Sequence, residues 1–258
     1  MDAYILIISI FYGILGLMIG SFLNVVIYRV PRGESIVRPG SHCPLCGHAL
    51  RSWELLPVVS FIILGGACRK CKEPISWRYP AIETLTGGLF FYTMWLNQGV
   101  QDVRFFWYLI FVAMLVALTF IDLDTLSLPD VLVYPLLIIG IIGAAFLPGP
   151  PDWLDSLLAA AVSGGVFWLI TIIYPQGMGL GDVKFVAALG AFLGFPDIVL
   201  AIFIASLAGS LVGVTMILLK RRQLKQQLPF GPYLALGALA AFFWGNKIFD
   251  LYWTLIIR

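Results

Sequence analysis

The sequence predicts an all-α polytopic membrane protein with about eight transmembrane helices and one small cytoplasmic zinc-binding loop domain between the first and second. Of its 258 residues, 60% are hydrophobic and 12% are charged, about half the charged share of an average soluble domain. Apolar runs of roughly 18 or more residues, each long enough to cross the hydrocarbon core, recur along the chain. Because lipid offers backbone groups no hydrogen-bond partners, these runs must be helices.

The predicted spans follow one another with one long interruption after the first. The first run passes into Asn24 and Arg29 without a small-residue cleavage site, which is typical of a retained span rather than a signal peptide. The sixth run is short for a full crossing, so we expect it to be sunk or tilted among its neighbours. The runs cover residues 4–28, 81–97, 104–122, 131–147, 154–174, 183–195, 197–219 and 233–255.

Lysine and arginine residues concentrate in two segments, 29–79 and 220–225. Such residues mark the cytoplasmic side of a membrane. Eight crossings place both segments on that side, with the two termini and the Pro/Gly turn at 148–151 on the other. The net charge of +2 gives no indication of a nucleic-acid partner, and we expect none.

All four cysteines lie in the first basic segment as two Cys-x-x-Cys pairs. This arrangement is typical of a tetrahedral zinc site, and a cytoplasmic location disfavours disulfides, the alternative. His42 and His48 flank the first pair, but four thiolates already complete a ligand set. We therefore expect one structural zinc ion, bound by Cys43, Cys46, Cys68 and Cys71.

The apolar segment 53–66 lies between the two cysteine pairs and is too short for a comfortable span. A crossing here would also put the two pairs on opposite sides of the membrane. Two interpretations stay open: an interfacial segment that the zinc site holds against the bilayer, and a packed turn of a small zinc domain.

Two acidic clusters lie at span ends, Ile121-Asp122-Leu123-Asp124 and Gly179-Leu180-Gly181-Asp182. The hairpin of spans four and five returns both clusters to the cytoplasmic face, and ionisable residues at such positions indicate a functional site. Two close carboxylates share one proton, so one can act as general base on a water and the other as acid. Residues two apart on a helix point about 200° from each other, so we choose Asp122, nearer the apolar span, over Asp124.

Glycines precede the second acidic cluster and leave room for an extended substrate backbone or a turn with positive φ. The glycines in question are Gly177, Gly179 and Gly181. Aspartates that merely cap helices or set the topology are the simpler alternative. A proton-coupled transporter with paired aspartates is another, but the sequence shows no internal repeat of the kind such transporters carry.

The ordered motifs of the chain closely resemble those of the type IV prepilin peptidases, which belong to the membrane aspartyl proteases with a Gly-x-Gly-Asp signature. The resemblance covers nearly the whole chain. A related alternative, an intramembrane protease of the presenilin or signal-peptide-peptidase kind, lacks the cysteine loop. Besides the cysteine pairs, the matching motifs lie at residues 20–29, 76–83, 121–130, 179–184 and 229–233.

The resemblance implies that the protein cleaves the leaders of prepilins and pseudopilins at the cytoplasmic face of the bacterial inner membrane, with Asp122 and Asp182 as the catalytic pair. It also implies N-methylation of the new amino terminus with S-adenosylmethionine, to which Gly66 corresponds as a methylase-associated glycine. It divides the chain into a first transmembrane helix (1–28), a methylase-associated zinc segment (29–80) and a transmembrane protease core (81–258). Nothing in the sequence indicates an oligomeric state.

Overall fold

A computed structural model describes residues 3–149, 151–175, 178–219 and 229–256. The described chain is helical and contains no strand, only two isolated β-bridges, which confirms the all-α prediction. Every predicted span coincides with a helix to within three residues at each end. The α-helices are α1 (Ala3–Arg29), α2 (Val59–Ile63), α3 (Arg78–Leu96), α4 (Val103–Thr125), α5 (Asp130–Phe146), α6 (Trp153–Ile173), α7 (Leu180–Leu193), α8 (Asp197–Leu218) and α9 (Gly231–Ile256).

Within the described ranges, five helices are long and apolar enough to cross a membrane: α1, α4, α6, α8 and α9. Helix α5 is apolar but shorter. The number of crossings therefore stays a prediction. The second basic segment, 220–225, lies outside the described residues.

The chain divides into two compact units, residues 1–117 and 118–258. In the first unit, α1 and α3 pack closely because glycines leave no side chain between them. A Cβ at Gly16 would lie 2.8 Å from Cβ of Phe90 and 2.9 Å from Cα of Gly87. Small residues at helix contacts are the usual means of close packing in membranes.

In the second unit, the short helix α7 packs against α5 and α6 and is buried along most of its length. A Cβ at Gly190 would lie 2.7 Å from the carbonyl oxygen of Ala159, and one at Gly164 would lie 2.9 Å from Cβ of Ala187. Ser156 Oγ donates to the Ala191 carbonyl at 2.8 Å. The short sixth run is thus sunk among its neighbours, as expected.

The segment between the cysteine pairs holds a 3-10 turn (Ser52–Leu55) and the five-residue α2. Several apolar side chains here, including Ile62 and Ile63, are exposed, whereas Phe61 is buried. Both interpretations of this segment therefore remain open.

Candidate active site and metal centre

Asp122 lies three residues before the end of α4, and its carboxylate is buried, with 4% of the residue exposed. The backbone N–H of Gly231, the first residue of α9, donates to Asp122 Oδ2 at 2.9 Å. The helix N-terminus adds a favourable dipole for a negative charge. The buried Asp122 carboxylate is therefore held by a backbone N–H that lies 109 residues further along the chain.

Asp182 lies in the first turn of α7 and is partly buried. The backbone N–H of Gly179 donates to its Oδ2 at 3.3 Å. Asp122 is close enough to Asp182 for its negative charge to act on that carboxylate. The second unit therefore brings together the two carboxylates that the sequence singled out. Asp124 is exposed, in keeping with the opposite directions of residues two apart.

The glycines before Asp182 do not use positive φ where the structure describes them. Gly179 is extended, with φ −83° and ψ 152°, and Gly181 is helical. A Cβ at Gly179 would meet nothing closer than 3.8 Å, whereas one at Gly181 would lie 3.2 Å from Cβ of Leu128. Gly179 therefore leaves open space, and Gly181 lets α7 approach Leu128. Gly177 lies outside the described residues.

Gly231 is a site residue to which the sequence analysis gave no role. A Cβ there would lie 2.8 Å from Asp122 Oδ2 and 3.1 Å from Cγ. Its only signal in the sequence is its place in the Pro229–Tyr233 motif, which does not reveal the contact with Asp122.

Lys184 pairs with a carboxylate at the start of another helix of the second unit. Lys184 Nζ contacts both carboxylate oxygens of Asp130 at 2.8 Å. Asp130 begins α5, where a negative charge is also favoured by the helix dipole.

The four cysteine sulfurs lie within 4.8 Å of one another and form the only group of three or more possible metal-ligating side chains found in the described part of the chain. Sγ of Cys43 lies 3.8 Å from that of Cys71, and Sγ of Cys46 lies 3.9 Å from that of Cys68. A tetrahedron with metal–sulfur bonds of about 2.3 Å has edges of about 3.8 Å. The cysteines are free and could hold one metal ion.

The two cysteine knuckles have matching backbones. The N–H of Gly47 donates to the Cys43 carbonyl at 3.0 Å, and that of Lys72 donates to the Cys68 carbonyl at 2.9 Å. Gly47 and Lys72 both have positive φ, 67° and 62°. Backbone N–H groups of Cys71 and Lys70 lower the pKa of Cys68 to about 6, whereas burial and the neighbouring cysteine sulfurs raise the pKa of Cys71 to about 12.

Both flanking histidines have partners other than the sulfur cluster. His48 Nε2 lies 3.3 Å from Glu54 Oε2, and His42 Nδ1 lies 3.0 Å from the Gly40 carbonyl. Gly66, with φ 68°, donates its N–H to the Phe61 carbonyl at 2.8 Å, and a Cβ there would lie 3.1 Å from the Phe61 ring. Gly66 therefore closes the turn that leads into the second knuckle.

Comparison with known proteins identifies, along most of the chain, the family that its sequence motifs resemble. A bacterial peptidase A24 N-terminal domain model matches residues 14–97, and a type IV leader peptidase family model matches residues 109–214. Proteins named prepilin leader peptidase/N-methyltransferase are 38% identical in Pseudomonas aeruginosa (93% of this chain, 91% of the relative) and 37% in Neisseria gonorrhoeae (89% and 88%). No solved structure matches.

Proposed function

Because the chain belongs to the type IV leader peptidase family, we propose that it cleaves the leader peptides of type IV prepilins and pseudopilins and N-methylates the new amino terminus. The chain covers 91% of its Pseudomonas aeruginosa relative, whose name carries both activities. The observation that supports the peptidase most directly is the pair formed by Asp122 and Asp182. The family match disfavours the transporter and presenilin-like alternatives.

In this proposal, Asp122 and Asp182 share one proton, because two neighbouring carboxylates in a low-dielectric site do not both ionise readily. The shorter backbone bond, from Gly231, favours the negative charge on Asp122. Asp122 then takes the proton of the attacking water, and Asp182 donates its proton to the carbonyl oxygen of the scissile peptide. The water's oxygen adds to that carbonyl carbon, and Asp122 then gives its proton to the leaving nitrogen as the C–N bond breaks.

The substrate-approach glycines are the second part of the proposal. We assign Gly177, Gly179 and Gly181 to the path along which the leader backbone reaches Asp182. The exposure of Gly179 and the open space around it support this assignment.

For the first unit, we propose one structural zinc ion on the four cysteines and S-adenosylmethionine as the methyl donor. The sulfur spacing supports the metal site, and the relatives' name supports the methyl donor. Bound zinc would clamp the two knuckles together, since metal-binding energy is also local folding energy. Residues 29–80, with Gly66, then form the methylase-associated segment, between the first helix (1–28) and the protease core (81–258).

The apolar helices and the family place the chain among multi-pass inner-membrane proteins. We propose eight crossings, with the cysteine segment and the aspartate pair at the cytoplasmic face. The basic residues of the segment 29–79 support this orientation.

The test is cleavage of a purified prepilin by the full chain in detergent or liposomes. Replacing Asp122 or Asp182 by Asn should reduce the cleavage rate by at least about 10²-fold, the lower end of general acid–base contributions. Asp124→Asn, which removes the same charge from an exposed neighbour, should retain most activity. Full cleavage by Asp122→Asn would contradict the assignment.

A further inference from the structure

The first unit contains a cavity of about 460 Å³ beside the cysteine cluster. Its walls come from the end of α1, the segment between the knuckles and the start of α3. They include Asn24, Phe61 and Leu64, along with Cys43 and Cys68. Small-molecule sites are typically roughly 300–1,000 Å³, mostly apolar, with a few fixed polar groups. This cavity has the size and the lining of such a site.

Two buried glutamates line this cavity, Glu54 and Glu83, which are 6% and 8% exposed. Glu83 is committed to the fold. Its Oε2 accepts the N–H of Val58 at 2.7 Å, and Val58 has φ 60°, an unusual conformation for a β-branched residue. Glu83 therefore stabilises the strained turn that leads into α2, whose Ser60 and Phe61 line the cavity.

Only one of the two carboxylate oxygens of Glu54 has a hydrogen-bond partner among the described residues. Its Oε2 accepts the backbone N–H of Arg51 at 2.8 Å and lies 3.3 Å from His48 Nε2. Its Oε1 is fully buried, yet no donor among the described residues reaches it. A buried carboxylate oxygen without a hydrogen bond is costly. The Arg51 N–H lowers the pKa of Glu54 in spite of burial, so the carboxylate is charged at neutral pH.

Two arginines in the cavity wall, Arg29 and Arg69, have other partners. Arg29 is 7% exposed, and its guanidinium donates to the carbonyls of Ser35 and Pro39 at 2.9 and 2.8 Å. Arg69 lies over the Trp53 ring, 5.3 Å from its centroid. Glu54 Oε1 is therefore left without a donor from the described residues, and a cationic N–H donor would satisfy a carboxylate best.

We propose that this cavity binds S-adenosylmethionine, with Glu54 Oε1 accepting a hydrogen bond from its α-ammonium group and the apolar wall around Phe61 and Leu64 facing its adenine ring. The inference rests on the methyl-donor part of the proposed function. The new amino terminus of the pilin is the poorer occupant. An ionised carboxylate would favour its protonated form, which has no lone pair to attack a methyl group.

The test measures binding of two probes to the purified, zinc-loaded full chain by calorimetry. One probe is S-adenosylmethionine and the other is 5′-methylthioadenosine, which keeps the nucleoside but lacks the ammonium group. The variant is Glu54→Gln, whose amide oxygen can still accept from Arg51 while its NH₂ replaces Oε1 with a donor. Asp102→Asn removes the same charge from an exposed carboxylate that does not line the cavity, and its amide oxygen can still accept the N–H of Phe105, so it is the matched control.

Glu54→Gln should weaken S-adenosylmethionine binding by at least about tenfold, as expected for a lost hydrogen bond to a charged group, and 5′-methylthioadenosine binding by less than about twofold. Asp102→Asn should change neither beyond about twofold. Unaltered S-adenosylmethionine binding by a folded Glu54→Gln protein would overturn the proposal. Equal weakening of both probes would overturn the assignment of Oε1 to the ammonium.

A methylation assay on the same preparations separates this proposal from the function on which it rests. If the wild-type chain transfers methyl groups while Glu54→Gln binds S-adenosylmethionine as tightly as wild type, only the cavity assignment fails. If the wild-type chain neither binds S-adenosylmethionine nor methylates a cleaved pilin, the methylase itself fails. Thermal melting and zinc content, matched to wild type, show that the Glu54→Gln protein is folded.

Discussion

Replacement of Gly231 by Ala should impair cleavage although Gly231 carries no reactive group. Its N–H donates to Asp122 Oδ2 at 2.9 Å, and a Cβ would lie 2.8 Å from the same oxygen. Since ordinary contacts begin near 3.4 Å, the carboxylate must move by about half an ångström or more and loses or lengthens its bond to the N–H.

The size of the effect follows from that bond and that displacement. A hydrogen bond to a charged group contributes about 1.5–3 kcal/mol, which corresponds to roughly 10- to 150-fold in rate if the bond is lost in the transition state. A misplacement of about 1 Å has a similar cost in catalysis. We therefore expect Gly231→Ala to lower kcat by about 10- to 100-fold with little change in KM.

The measurement is steady-state cleavage of a prepilin by the purified variant, together with thermal melting. Gly231 has no positive φ and Ala is the better helix former, so the backbone of α9 should tolerate the change. Gly209→Ala is the control, because a Cβ there would lie 3.5 Å from the nearest atom, an ordinary contact. Wild-type kcat in Gly231→Ala would refute the reasoning.

Three further results are expected. Cys68→Ser should lose about one equivalent of bound zinc, as measured by metal analysis, and most N-methylation, but it should retain measurable cleavage. Unchanged zinc content would count against the four-thiolate site. Asp182→Asn should still methylate a precleaved pilin, as shown by amino-terminal mass with and without S-adenosylmethionine; a folded variant that fails would mean that the two activities are coupled. Gly164→Ala should destabilise the second unit by about 1–3 kcal/mol, because the added Cβ overpacks against Ala187. Gly165 faces open space, so Gly165→Ala should be neutral or slightly stabilising. Equal melting temperatures of the two variants would contradict this packing.

The helices were predictable because their signal is local. A run of apolar residues cannot avoid helical structure in lipid, and the predicted runs agree with the observed helices to within three residues at each end. The cysteine cluster was predictable for a similar reason. Each Cys-x-x-Cys pair forms its own tight turn, closed by Gly47 in one knuckle and Lys72 in the other, so only the meeting of two knuckles had to be inferred.

The choice of Asp122 over Asp124 was also within reach of the sequence, since the helical period places only one of them towards the protein interior. The positions of Lys184 and Gly231 were not. Lys184 finds its partner 54 residues away in Asp130, and Gly231 donates to a carboxylate 109 residues away. No local pattern distinguishes such residues from an exposed lysine or a glycine that merely begins a helix.

The sequence by itself determined the helical class, the two cysteine pairs and the two acidic clusters, because hydropathy, helical period and short-range spacing depend on neighbouring residues alone. Only the tertiary structure decided which backbone donor holds Asp122 and which oxygen of Glu54 lacks a partner. These features depend on how helices and loops distant in sequence pack together. Packing is set by close contacts such as those at Gly16 and Gly190, whose partners a single sequence does not name.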